Sequence, residues 1–109
     1  MIVIEKNVGP KIDYEIQNTA TRKRITFDDD LTINLAKRQE DWPVHIDVCY
    51  DEDGALVIGA AAGRRYVAEL DIPAREYEQG EASGDDDTPP AVPVPLDLDT
   101  VTLSLWAIE

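Results

Sequence analysis

Apolar and polar residues alternate one for one along most of this chain, and this period of two constrains its fold more than any other feature. In IDYEIQ, the apolar side chains of Ile12, Tyr14 and Ile16 share one face of an extended segment. The segments RITFD, LTINLAK, VHIDVCY and YVAELDI repeat the pattern. Such alternation is typical of strands that bury one face. It therefore predicts a strand-rich domain, with Tyr66, Ala68, Leu70 and Ile72 of YVAELDI on one face.

Turn residues separate these segments at intervals of about 8 to 12 residues, the spacing typical of sandwiches and small barrels. We expect one all-β domain, residues 1–109, folded as an antiparallel β-sandwich or small barrel of about seven or eight strands. The apolar runs MIVIE and ALVIGAA are expected to lie centrally in a sheet or to be covered on both faces. In the final apolar run, the apolar residues switch from even to odd positions at Asp99 and Thr100. This switch predicts a bulge or bend in a long final strand. A short helix or turn is expected at 36–41, before Pro43.

Residues 76–95, EYEQGEASGDDDTPPAVPVP, differ in composition from the rest of the chain. They combine acidic residues, glycine, serine and prolines, which favour neither a strand ladder nor a core. This composition predicts a long, flexible acidic loop inserted before the C-terminal strand.

The charge distribution excludes some partners. The formal net charge is −13, and residues 76–109 contain nine acidic side chains but no lysine or arginine. Acidic surfaces repel nucleic-acid phosphates and anionic membranes, so we expect no direct binding to either. Two explanations remain for the charge: solubility, or imitation of a nucleic acid towards a basic partner.

The single cysteine, Cys49, has no intramolecular disulfide partner and no cysteine or histidine neighbours typical of a zinc site. This pattern fits a reducing compartment. No apolar run approaches the roughly 20 residues needed to cross a bilayer. A cytoplasmic location without membrane contact is therefore expected.

The stretch CYDEDGALVIG places three carboxylates and a glycine between two apolar runs. Read as a calcium-binding EF-hand loop, it would put Cys49 and Ala60 at positions that require acidic ligands, so that interpretation fails. A tight hairpin with Gly54 at positive φ is the better interpretation.

His45, Asp47 and Cys49 alternate on one strand and supply the residue types of a nucleophilic site. Same-face neighbours on a strand are roughly 6.5 to 7 Å apart, which we interpret as too far for ready hydrogen bonding. We therefore predict no catalytic residues, no cofactor and no metal site, although a weak carboxylate site stays open.

Two tryptophans and the acidic loop supply the candidate interaction residues. Trp42 is expected to cover one end of the core, and Trp106 to be a core residue or an interface anchor. The complete candidate set is Trp42, Trp106, Glu76, Glu78, Glu81, Asp85, Asp86 and Asp87.

With its segments MIVIEKN, DWPVHIDVCYDEDG and LDLDTVTLSLWAIE, the chain resembles small acidic β proteins encoded by tailed phages and prophages. The resemblance implies a virion-assembly accessory or another small interaction protein, virion-associated if phage-encoded. The leading hypothesis is a non-catalytic interaction or structural module that binds a protein partner or itself as a homo-oligomer. The alternative is an acidic DNA mimic that inhibits a nucleic-acid-binding enzyme, as anti-restriction and anti-CRISPR proteins do. An enzyme built around His45 or the aspartates is the third hypothesis.

Overall fold

The computed structural model describes residues 1–59, 65–79 and 91–108 of the chain. Strands predominate in these residues, as the alternation predicts. In chain order the elements are β1 (Ile2–Glu5), β2 (Tyr14–Asn18), β3 (Lys23–Phe27), β4 (Leu31–Asn34), α1 (Leu35–Arg38), β5 (Val44–Tyr50), β6 (Leu56–Ile58), β7 (Arg65–Ile72), β8 (Tyr77–Gln79), β9 (Ala91–Pro93), a 3₁₀ turn (Leu98–Thr100) and β10 (Thr102–Leu105).

The strands form three sheets. The largest has the spatial order β1-β10-β7-β5-β6, the second has the order β2-β3-β4, and β8 pairs with β9. All of the pairs are antiparallel except β1 with β10, which is parallel. The β-rich fold is thus confirmed, and the predicted antiparallel arrangement is wrong for the β1–β10 pair. No sheet among the described strands closes into a barrel.

One hydrophobic core cluster joins the two larger sheets. Ile25 and Phe27 of β3 are fully buried, as is Leu70 of β7, because alternate residues of each strand point to the same side. The short helix adds Leu35, and the 3₁₀ turn adds Leu98. The residues that alternate with this core in β5 and β7 lie on the opposite face of the five-stranded sheet.

The two apolar runs expected to be central are instead the two edges of the five-stranded sheet. MIVIE forms β1 and ALVIGAA contributes β6, and these strands end the sheet on opposite sides. That expectation was wrong because a continuous apolar run indicates two-sided burial only when other elements cover both faces of the strand, and it does not fix the position of the strand in its sheet. The first of these edges leaves large apolar side chains exposed.

The hairpin prediction for CYDEDGALVIG is confirmed: β5 and β6 pair on either side of the turn, and Gly54 has a φ of +80°. The Asp51 carboxylate accepts hydrogen bonds from the backbone N–H groups of Asp53 and Ala55, both at 2.9 Å. This carboxylate therefore holds the turn together.

A helix is present near the predicted position, but it spans Leu35–Arg38 and begins after Asn34, whose side chain caps it by accepting from the Lys37 N–H. The switch from even to odd positions near Asp99 marks the 3₁₀ turn, in which the Thr100 N–H donates to the Asp97 carbonyl. The final run is thus a turn followed by a short strand, not one bulged strand.

The two ends of the predicted acidic loop form a strand ladder, in which Tyr77 pairs with Pro93. Proline is compatible with this two-stranded ribbon because each strand has a free edge that needs no N–H donor. Residues 80–90 lie outside the described part, so the predicted loop there stays a prediction. Neither helix of the described chain is long and apolar enough to cross a membrane.

Candidate functional site

The face of the five-stranded sheet that points away from the core holds a cluster of titratable side chains. His45 lies opposite Asp71, and Asp47 lies opposite Glu69 two residues further along the β5–β7 ladder, on the same face. We call these four residues the His45 cluster. Two short patterns, His-x-Asp on β5 and Glu-x-Asp on β7, bring the four side chains together once the strands pair in this register.

Both ring nitrogens of His45 face carboxylates. Nδ1 is 2.6 Å from Asp71 Oδ1, and Nε2 is 2.7 Å from Asp47 Oδ1 and 3.4 Å from Glu69 Oε1. Among the described residues, the only ion-pair partner of these three carboxylates is His45. The cluster therefore holds three acidic groups around a single imidazole.

The prediction that His45 and Asp47 are too far apart to hydrogen-bond is wrong. The Cα spacing along the strand leaves a gap, but the imidazole ring is long enough to lean along β5 and reach the Asp47 carboxylate. Cys49 takes no part in this network. It is buried beside β6 and β7, and this burial raises the pKa of its thiol, helped by the negative charges of Asp47 and Glu69.

A bulge in β7 places Tyr66 against the cluster. The register shifts between Val48 and Cys49, so that Val48 pairs with Ala68 while Cys49 pairs with Tyr66. The extra residue, Val67, turns into the core, and Tyr66 moves to the opposite face. Alternation alone assigned Tyr66 to the core face, and the bulge is the physical reason that this assignment was wrong.

Trp106 fixes the position of Glu69. Its indole N–H donates to Glu69 Oε2 at 2.7 Å, which leaves Oε1 facing His45. The Trp106 and Tyr66 rings are neighbours, with centroids 6.5 Å apart. These rings help to cover the cluster, and the side chains of Asp47 and Glu69 are only 23% and 20% exposed.

The hydrogen bond that His45 donates to Asp71 is the main reason that the pKa of His45 is raised above its ordinary value. Partial burial opposes this shift, and the hydrogen bond with Asp47 adds to it. An adjacent groove of about 240 Å³, bordered by Pro43, Asp71 and Thr102, opens to solvent beside the ring.

Three potential ligand atoms converge in the cluster. One atom each of His45, Asp47 and Glu69 lies within 4.8 Å of the other two. Among the described residues, His45, Asp47 and Glu69 form the group that could hold a metal ion. Sequence reasoning singled out His45 and Asp47 but missed Glu69, because its proximity depends on the pairing of β5 with β7.

The predicted interaction residues do not form a single site. Trp42 is 62% exposed, so the expectation that it covers the core is wrong. It follows Asp41, whose carboxylate accepts from Arg75 Nη1 at 2.9 Å and from the Tyr77 hydroxyl at 2.7 Å, and this network ties the Trp42 segment to β8.

The remaining interaction residues are acidic. Glu76 and Glu78 are exposed at the start of the β8–β9 ribbon. Glu81, Asp85, Asp86 and Asp87 lie outside the described residues. Of the described interaction residues, Trp106 contacts the His45 cluster, through its hydrogen bond to Glu69, and it is partly buried.

The free edge of β1 is a second candidate surface. Ile2, Val3 and Ile4 are 51%, 44% and 42% exposed. The N–H of Ile2 donates to Val101 and that of Lys6 to Leu105, so the even-numbered residues bond to β10. Because neighbouring backbone groups of a strand alternate in direction, the N–H and C=O groups of Val3 and Glu5 point away from the sheet.

Comparison of the chain with protein-family models, curated proteins and solved structures gave no match.

Proposed function

We propose that this protein is a non-catalytic interaction module that associates with a second copy of itself through the free edge of β1. The observation that carries the proposal is the run of three consecutive exposed apolar residues on a strand whose outward N–H and C=O groups have no partner among the residues that the structure describes. An edge of this kind is a template for strand addition.

Protein sheets usually protect their edges with charges, prolines, bulges or covering segments. Within β1 the only charged residue is Glu5, at the end of the strand, and no proline interrupts the run. The unprotected residues are therefore Ile2, Val3 and Ile4. Their exposure costs solubility in a monomer but supplies apolar area to an interface.

The sequence of β1 is compatible with pairing to itself. In an antiparallel pair centred on Val3, the outward N–H and C=O groups of Val3 meet those of the second copy. Ile2 then lies opposite Ile4 of the other strand, so an apolar side chain opposes each of the three. The two five-stranded sheets would become continuous across the pair.

Two valine-to-lysine substitutions test this interface. Val3→Lys places like charges opposite each other at the centre of the paired strands, whereas Val8→Lys makes the same change at a fully exposed valine outside β1. By sedimentation equilibrium we expect the wild type and Val8→Lys to form dimers of twice the 12.1 kDa chain mass. Val3→Lys should remain monomeric.

Circular dichroism of each variant checks that the strand content is retained. A wild type that stays monomeric at high micromolar concentration contradicts the proposal, and so does a Val3→Lys variant that dimerises as well as Val8→Lys. Monomeric wild type that instead gains mass on mixing with a second protein would replace self-association with a different partner.

The shared core of the two larger sheets supports a β-sandwich arrangement, in which the β1 edge stays available. If the resemblance to small phage proteins holds, edge association of this kind suits a virion-assembly accessory. Repeated subunits can then be joined without catalysis.

A further inference from the structure

The His45 cluster has an arrangement of hydrogen bonds that a neutral histidine does not satisfy. Asp71 accepts from Nδ1 at 2.6 Å, so Nδ1 carries a proton. Nε2 lies 2.7 Å from Asp47 Oδ1 and 3.4 Å from Glu69 Oε1. With a proton on Nε2 the ring donates to Asp47, and without it the Nε2 lone pair and the two carboxylate oxygens face one another. A metal ion bound between these three atoms would take the place of that proton.

We propose that His45 Nε2, Asp47 and Glu69 bind a divalent transition-metal ion. The ligand set of one imidazole and two carboxylates favours a first-row ion such as Zn²⁺ over Mg²⁺ or Ca²⁺, which prefer oxygen ligands alone. Three protein ligands leave at least one coordination position for water, and the exposed side of the ring gives solvent access to it.

The distances are close to those that such an ion needs. Ligand atoms about 2.1 Å from a tetrahedral Zn²⁺ are about 3.4 Å apart. The separation of Nε2 and Glu69 Oε1 is 3.4 Å, and that of Nε2 and Asp47 Oδ1 is 2.7 Å. A rotation of the Asp47 side chain that moves its oxygen by about 0.7 Å would bring the shorter separation to the same value. All three ligand atoms lie within 4.8 Å of one another.

The surroundings match the outer shell of a metal site. Histidine ligands usually donate their other ring N–H to a carboxylate, as His45 does to Asp71. Ligating carboxylates are usually held by further hydrogen bonds, as Glu69 is by the Trp106 indole. Both contacts orient a ligand towards the same point, and no lysine or arginine among the described residues competes for these carboxylates through an ion pair.

Titration of the whole protein with ZnCl₂, followed by calorimetry in a non-chelating buffer, tests the site. We expect saturable binding of one Zn²⁺ per chain that millimolar Mg²⁺ and Ca²⁺ do not displace. Glu69→Gln and His45→Gln should each weaken the affinity at least about tenfold. Glu78→Gln, which removes an exposed carboxylate on β8, is the matched control and should leave the affinity unchanged.

The sole histidine of the chain supplies a second readout that needs no variant. Its imidazole NMR signals should shift on addition of one equivalent of Zn²⁺. Absence of saturable binding overturns the proposal, as does binding that leaves the His45 signals unmoved or that survives Glu69→Gln at full strength. If His45→Gln fails to fold, the His45 imidazole signals of the wild type and the Zn²⁺ affinity of Glu69→Gln still test the site.

Discussion

Gly9 and Gly54 both have positive φ, but their surroundings differ. Gly9 has a φ of +136°, and a Cβ atom built on it would lie 2.8 Å from the Ala107 Cβ. Gly54 has a φ of +80° in the β5–β6 turn, and no atom of the described residues lies within 4 Å of such a Cβ. Glycine is thus required at Gly54 for backbone conformation alone, and at Gly9 also for close packing against the C-terminal segment.

The two alanine substitutions should therefore differ in their effect on stability. Gly54→Ala should lower the free energy of unfolding by about 1–2 kcal/mol, the cost of a left-handed conformation. Gly9→Ala should lower it further, by roughly another 1–3 kcal/mol, because the added methyl overpacks its site. Urea unfolding followed by tryptophan fluorescence measures both values, and equal losses would contradict the close contact at Gly9.

Individual residues of the candidate site were only partly predictable. The alternation correctly separates His45 and Asp47 from the core face of β5. The alternation fails at Tyr66, because the extra residue Val67 in β7 reverses the face of the sheet to which the preceding residues of β7 point. It also gives no strand partners, so the contacts of His45 with Glu69 and Asp71 follow only from the observed register.

At the scale of elements, β2 and β3 contain a pair of isoleucines that face each other but differ in burial. Ile16 and Ile25 are paired directly, yet Ile25 is fully buried while Ile16 is 39% exposed. Ile25→Ala should cost about 2–5 kcal/mol of unfolding free energy because it leaves a cavity. Ile16→Ala should cost about 1 kcal/mol or less, since water already contacts that side chain.

Thermal or urea unfolding of the two variants checks the placement of the three-stranded sheet over the core. Comparable losses from both substitutions would mean that Ile16 is covered, which would contradict its exposed position on β2, the first strand of the three-stranded sheet.

Strand existence followed well from the period of two, but strand position did not. The hairpin at Gly54 combines alternation with turn residues, both of which are local signals, and it was correctly predicted. The edge position of β1 depends on the return of β10 beside it, a contact between the two ends of the chain. No local pattern contains that pairing, so the most exposed apolar strand was interpreted as a buried one.

For the whole molecule, the net charge of −13 opposes association of two copies. Salt screens this repulsion, with a Debye length of about 10 Å at 0.1 M and about 3 Å at 1 M. Raising NaCl from about 50 mM to about 500 mM should therefore strengthen self-association, as measured by sedimentation. Complexes of a DNA mimic with a basic enzyme should weaken under the same change, so the two functions predict opposite effects of salt.

Amide hydrogen exchange of β1 at different protein concentrations tests the β1 interface most directly. The Val3 and Glu5 N–H groups point outward, whereas that of Ile2 already donates to β10. Dimerisation should slow exchange at Val3 in a concentration-dependent way and leave Ile2 unchanged. Rapid exchange of the Val3 amide at every concentration, in protein whose Ile2 amide stays protected, would contradict association through this edge.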